Sequence, residues 1–155
     1  MSETKSVATS KPSNPKEAYG NSKCYFSTIP AQVVAELGLA MLEGALKYGR
    51  HNWRVVGVKA STYYDAARRH LDAWWEGEDI DPDSGESHLV KAMACLTVVR
   101  DSQLQQCLND DRPPNDGGSG WQRSIGARTK AMMERYPEPK APATHEHREL
   151  RFDDR

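Results

Sequence analysis

Apolar positions along the chain gather into stretches with helical spacing, separated by short polar loops. The first stretch, Pro30 to about Tyr48, is apolar at Val33, Val34, Leu37, Leu39, Ala40, Met41, Leu42, Ala45 and Leu46, which predicts a helix buried on most sides. Pro30 suits its first turn and Gly49 its stop. A second helix is expected over about Thr62–Glu76, with Ser61 as cap and Gly77 as stop. A third is expected over about Gly85–Leu108, with Ser84 as cap, ending before the breaker DDRPPNDGGSG. A fourth, shorter helix fits about Ser124–Arg135. No segment sustains alternation at period two, and a short strand in Trp53–Lys59 is not favoured. The pattern predicts an all-α fold.

At 155 residues the chain suits one domain with a modest core. Residues 1–22, rich in Ser, Lys, Pro and Asn, are expected to be a flexible N-terminal segment. Residues 23–136 then form the helical domain, and residues 137–155 a charged, Pro-containing tail or arm. Lys plus Arg number 21 and Asp plus Glu 22, so no basic face exists for direct nucleic-acid binding, although a local cluster can still hold a small anion. No apolar run reaches the roughly eighteen residues of a membrane span, and the first residues lack the apolar core of a secretory signal. Cys24, Cys95 and Cys107 form no C-x-x-C pair and read as free thiols of a cytoplasmic protein.

The polar residues inside the apolar helices carry the candidate chemistry. Glu36 and Glu43, seven residues apart, lie within roughly 20° of each other around a helix. Two carboxylates on a buried helix call for a cation or a cationic partner. The alternative is one exposed polar edge, with Glu43–Lys47 as an i,i+4 pair. The turn GEDIDPDSGESH holds Glu78, Asp79, Asp81, Asp83 and Glu86, an oxygen-rich set that suits magnesium or manganese, or simply a solvated acidic turn. His88 and Lys91 interrupt the third helix on one face. The loop KYGRHNWR sets Lys47, Arg50, His51, Asn52 and Arg54 around Trp53. Such cations suit phosphates and such an indole suits a base, although Trp53 reads better as core. On the second helix Asp65–Arg69 is an expected pair, and His70 an expected core-edge residue beside Ala67 and Trp74.

The stretches AELGLAMLEGALKYGRHNWR, STYYDAARRHLDAWWEGEDIDPDSGESHLVKAMACLTVVRDS and NDDRPP together resemble the dATP/dGTP diphosphohydrolases, a group of the MazG-like all-α nucleotide pyrophosphatases. EGA-x-KYG-x-x-NWR, RHL-x-A-x-x-x-GE-x-x-D and SG-x-x-H carry the likeness. Within that family the segments are similar to the MazZ proteins of phages that replace adenine with 2-aminoadenine. The resemblance implies cleavage of a purine (deoxy)nucleoside triphosphate to its monophosphate and pyrophosphate. It points to dGTP first, with GTP and dATP in range, and to dGMP supplied to modified-purine synthesis in the host cytoplasm.

The resemblance also implies two or more Mg2+ ions, replaceable by Mn2+, held by Glu36, Glu43, Glu78 and Asp81. The family's second motif, E-x-x-D, is present as Glu78 and Asp81. Its first, E-x-x-E, is not literal here, so Glu36 and Glu43 enter by helix face. Lys47, Arg50, Arg54, Arg69 and Lys91 are then the phosphate donors, and Asn52 and Trp53 the base contacts. A homo-oligomer, dimer or tetramer, is the expected assembly. Two other readings remain: a phosphohydrolase built on His51, His70 and His88, and a nucleotide-binding module without turnover.

Overall fold

Helix α1 spans Ala31–Tyr48 in a computed structural model that describes residue 16 and residues 23–115 and 120–144. Pro30 precedes it, and the Gly49 amide closes it by donating to the Ala45 carbonyl at 2.9 Å. The Trp53–Lys59 stretch then divides into a single turn of helix, α2 (Trp53–Val56), and a two-residue strand, β1 (Val58–Lys59). Strand β1 pairs in parallel with β2 (Leu108–Asn109), Val58 opposite Leu108. Gly57 makes this possible: a Cβ there would lie 2.9 Å from the Cys107 carbonyl oxygen.

Helix α3 covers Ala60–Trp75 and starts one residue before Ser61, which is therefore not its cap. Instead the Ser61 amide and hydroxyl both donate to the Asp111 carboxylate, at 2.8 and 2.5 Å. A residue fifty positions later thus satisfies this helix start. The other end follows the sequence signal. Gly77 takes φ 100°, its amide donates to the Trp74 carbonyl, and the Glu78 amide donates to the Ala73 carbonyl. That crossed pair is a Schellman stop.

Helix α4 runs from His88 to Leu104, shorter at both ends than expected. Ser84 does not cap it, because its hydroxyl donates to Asp81 Oδ2 at 2.7 Å. Residues 80–87 close a tight turn instead, with an antiparallel bridge between Ile80 and Ser87 and the Asp81 amide on the Glu86 carbonyl. At the C-terminal end Gln106 enters the left-handed region at φ 56°, and the Cys107 amide reaches back to the Ser102 carbonyl.

Helices α3 and α4 form the main packing pair, and α1 lies against α4. The buried apolar residues are Ala40, Trp53, Ala60, Ala67, Val90, Ala92 and Val98, so the helices meet mostly through small side chains. Helix α1 departs from its expected burial on most sides: only Ala40 is buried, and Leu39, Leu42 and Leu46 are 52%, 48% and 79% exposed. The architecture is all-α, with the β1–β2 pair as a small addition.

The chain forms two compact units, Met1–Arg112 and Pro113–Arg155. In the second, helix α5 (Gly120–Arg135) starts four residues before the expected Ser124 and so includes Trp121, Gln122 and Arg123. The N-terminal segment 1–22 other than Lys16, residues 116–119 of the Gly-rich break, and residues 145–155 of the tail lie outside the described residues. No helix among the described residues is long and apolar enough to cross a membrane.

Candidate functional site

Glu43 is the centre of the strongest charge cluster. It sits half-buried on the face of α1 that meets α4, beside Ala40. Lys47, one turn on, donates to its Oε1, and Lys91 of α4 donates to its Oε2 at 2.5 Å. The two ammonium groups hold the Glu43 carboxyl below its usual pKa, Lys47 first and Lys91 second. Lys91 is only 18% exposed at its side chain, so this pair counts for more than a surface ion pair.

Asp81, 9% exposed, lies within electrostatic reach of both Lys91 and Lys47. Burial opposes its charge, yet the hydrogen bonds from the Ser84 hydroxyl and the Asp83 amide, with Lys91, outweigh that and lower its pKa. Asp81 therefore shapes the acidic turn while remaining anionic. Glu36 lies on the Glu43 side of α1 and accepts from Gln32 Nε2 at 2.8 Å.

Glu78 meets α4 at His88, its Oε2 3.4 Å from His88 Nε2. That separation is too long for a good hydrogen bond, and Nε2 is buried with no hydrogen-bond partner. His88 Nδ1 lies 2.9 Å from Nδ1 of His70. Burial lowers the His70 pKa, so this imidazole favours its neutral form.

The basic loop has a different arrangement. Asp101 of α4 takes hydrogen bonds from Trp53 Nε1 at 2.6 Å, Arg54 Nε at 2.8 Å and Arg54 Nη2 at 2.7 Å. Arg54 is thereby spent on a bidentate pair that fixes the loop, and Trp53 is core at 8% exposure. Arg50, His51 and the rim of Trp53 line a cavity of about 360 Å³ with Gly38, Met41, Leu42 and Ala45. At about 100° per residue, those α1 positions lie roughly 100–160° around the helix from Glu43. Asn52 is half-buried nearby and Arg69 is exposed on α3. The expected Asp65–Arg69 pair is not the one formed, since Arg68 bonds Asp72 at 2.7 Å.

The fold thus brings Glu43, Lys47, Lys91 and Asp81 together, with Glu78 beside His88. It does not bring Arg50 or Trp53 to that cluster. Sequence reasoning missed Asp101 and Asp111. Asp101 shares a face with buried Val90, eleven residues earlier, which is the signal that marks it as an anchored acid.

The donor set suits a hard divalent cation by type, since Glu36, Glu43, Glu78 and Asp81 offer oxygen alone and each Asp81 oxygen keeps a spare lone pair. Among the described residues, however, no three His, Cys, Asp or Glu side chains converge on one point, and Glu43 is met by ammonium groups. Polar bonding is incomplete beside the acidic turn, at the buried His88 Nε2, as it also is at Ser102 Oγ farther along α4. Residues 13–112 match a family model described as dATP/dGTP diphosphohydrolase, N-terminal, while no curated protein and no solved structure matches the chain.

Proposed function

Because the chain belongs to the dATP/dGTP diphosphohydrolase family and is a nucleoside triphosphate diphosphohydrolase, we propose that its substrate is a purine deoxynucleoside triphosphate, dGTP first. The α–β bond is cut, and the products are dGMP and pyrophosphate. In a phage that uses 2-aminoadenine, that dGMP feeds synthesis of the modified purine. The observation that carries the reading is the half-buried contact of Glu43 with Lys91, with Asp81 within electrostatic reach of the same ammonium. It joins the anions a cation needs to the cations a triphosphate needs.

Glu43, Asp81, Glu78 and Glu36 are the residues that would hold Mg2+, or Mn2+ in its place, and a bound ion would supply charge neutralisation at the phosphates and a water of lowered pKa. Lys47 and Lys91 would exchange their bonds to Glu43 for bonds to triphosphate oxygens, which would free that carboxylate for the cation. Arg69, exposed on α3, adds a donor from that helix.

Arg50, Asn52 and the Trp53 rim contact the nucleotide from a second copy of the chain. Arg50 and its cavity lie on a different face of α1 from Glu43, and a second copy would bring one intact example of each face to a shared nucleotide. The exposed Leu39, Leu42 and Leu46 support such a homo-oligomer.

Incubation with each dNTP, ATP and GTP, with Mg2+ or with EDTA, followed by anion-exchange chromatography, tests the proposal. Magnesium-dependent dGMP and pyrophosphate from dGTP is the expected result. Deoxyguanosine with intact triphosphate would move the chemistry to the histidines, and binding without turnover would reduce the protein to a nucleotide sensor.

A further inference from the structure

His70 and His88 both belong to the segments that carry the family likeness, yet neither has a role in the reaction described above. Their contact is unusual. The two Nδ1 atoms are 2.9 Å apart, so one ring donates and the other accepts. Both protonated at Nδ1 would place two hydrogens in the gap, and neither protonated would oppose two lone pairs. The tautomers of the two rings are therefore locked to each other.

The direction of that bond follows from Glu78. If neutral His88 were the donor, its proton would sit on Nδ1 and its Nε2 lone pair would face the Glu78 carboxylate at 3.4 Å. That nitrogen is buried, on a side chain only 6% exposed, and lone pair against carboxylate is repulsive. If His70 donates instead, His88 carries its proton on Nε2, aimed at Glu78. Between the neutral forms, only the second direction turns a proton rather than a lone pair toward the Glu78 side of Nε2.

We propose that His88 is a positioning residue for Glu78: His70 Nδ1–H donates to His88 Nδ1, which fixes His88 as the Nε2–H tautomer and aims that proton at the Glu78 carboxylate. Glu78 itself is 53% exposed at its side chain and needs such a restraint. The proton on α4, its nitrogen 3.4 Å from one carboxylate oxygen, attracts that oxygen and leaves the other for a cation. The inference rests on the reading of Glu78 as a metal-holding residue, although the tautomer itself does not.

Nitrogen-15 NMR of histidine-labelled full-length protein, with the two rings assigned from H70N and H88Q, reads the tautomers directly. The expected result is Nε2–H for His88 and Nδ1–H for His70. An Nδ1–H tautomer at His88 overturns the proposal. Kinetics provide the second readout. H88N removes the donor at the Nε2 position and should raise the Mg2+ concentration for half-maximal activity by about 10–100-fold, the range typical of lost support behind a metal ligand. The KM for dGTP at saturating Mg2+ should change far less. H88Q, whose amide nitrogen falls near Nε2, should restore most of the loss.

Equal Mg2+ dependence in H88N and the parent removes the positioning role, and if H88N fails to fold the NMR result decides. Full activity in E78Q would overturn the reading of Glu78 while leaving the tautomer assignment standing, so the two failures are distinct.

Discussion

Glu43 shows how much one residue's neighbours alter its meaning. Its pairing with Lys47 is legible in sequence because residues four apart share a helix face. Its pairing with Lys91 is not, because that contact spans 48 positions and depends on how α1 meets α4. If Glu43 holds a cation during turnover, E43Q should lower kcat by about a hundredfold or more, since metal contributions of several kcal/mol correspond to about 1.4 kcal/mol per factor of ten. Far-UV circular dichroism should stay helical, and a variant with near-normal kcat would remove Glu43 from the site.

Asp101 yields a prediction about acid. Hydrogen bonds from Arg54, then Trp53, hold its pKa below the usual aspartate value. A carboxyl depressed in the folded state adds stability above its unfolded pKa, near about 3.9, and loses it as pH falls through the lower folded value. D101N should therefore lower the urea midpoint clearly near pH 7 and much less in acid below the folded Asp101 pKa, where the parent has lost the same contribution. An equal drop at both values would mean that the hydrogen bonds, not the charge, matter.

At the scale of elements, helix stops were easier to read than helix starts. Gly77 announces the end of α3 because a left-handed residue there favours glycine. Gln106 occupies the same kind of position after α4 with no such signature, which is why that helix was expected to run on to Leu108. Gln106→Gly should relieve this and stabilise the fold by about 0.5–1 kcal/mol, net of the entropy glycine adds to the unfolded chain. A lowered melting temperature would show that the Gln106 side chain contributes more than its backbone costs.

Helix starts failed for a different reason. Ser61 and Ser84 have the composition of caps, but Asp111 claims the first from across the fold and the Asp81 turn claims the second. D111A should lower the melting temperature, as loss of a cap does, and thermal unfolding of the single variant measures it.

Across the whole molecule, the apolar count was readable and its destination was not. The sequence of α1 places Leu39, Leu42 and Leu46 at spacings of three and four, which mark one helix face. Composition alone assigns such a face to the core of the same chain. In the folded chain the buried apolar positions are filled by alanines, two valines and Trp53, and these leucines stand in the open. The Arg50 cavity flanks this face on one side through Leu42, and Glu43 flanks it on the other, roughly 40–100° around the helix from the three leucines.

A homo-oligomer in which α1 faces meet gives both observations one cause, and it makes a prediction that no single-chain site shares. Sedimentation should show the parent as a dimer or larger, with L42E/L46E shifted toward monomer and correspondingly inactive. E43Q and R50A, each inactive alone through different faces of α1, should regain activity when mixed after mild dissociation, because some assemblies then pair one intact carboxylate cluster with one intact cavity. In a dimer with two equivalent sites, random pairing makes half the assemblies hybrids, and each hybrid has one intact site of its two, so recovery should approach about a quarter of the parent rate. No recovery from mixed subunits that demonstrably exchange would place Arg50 and Glu43 in the service of different ligands.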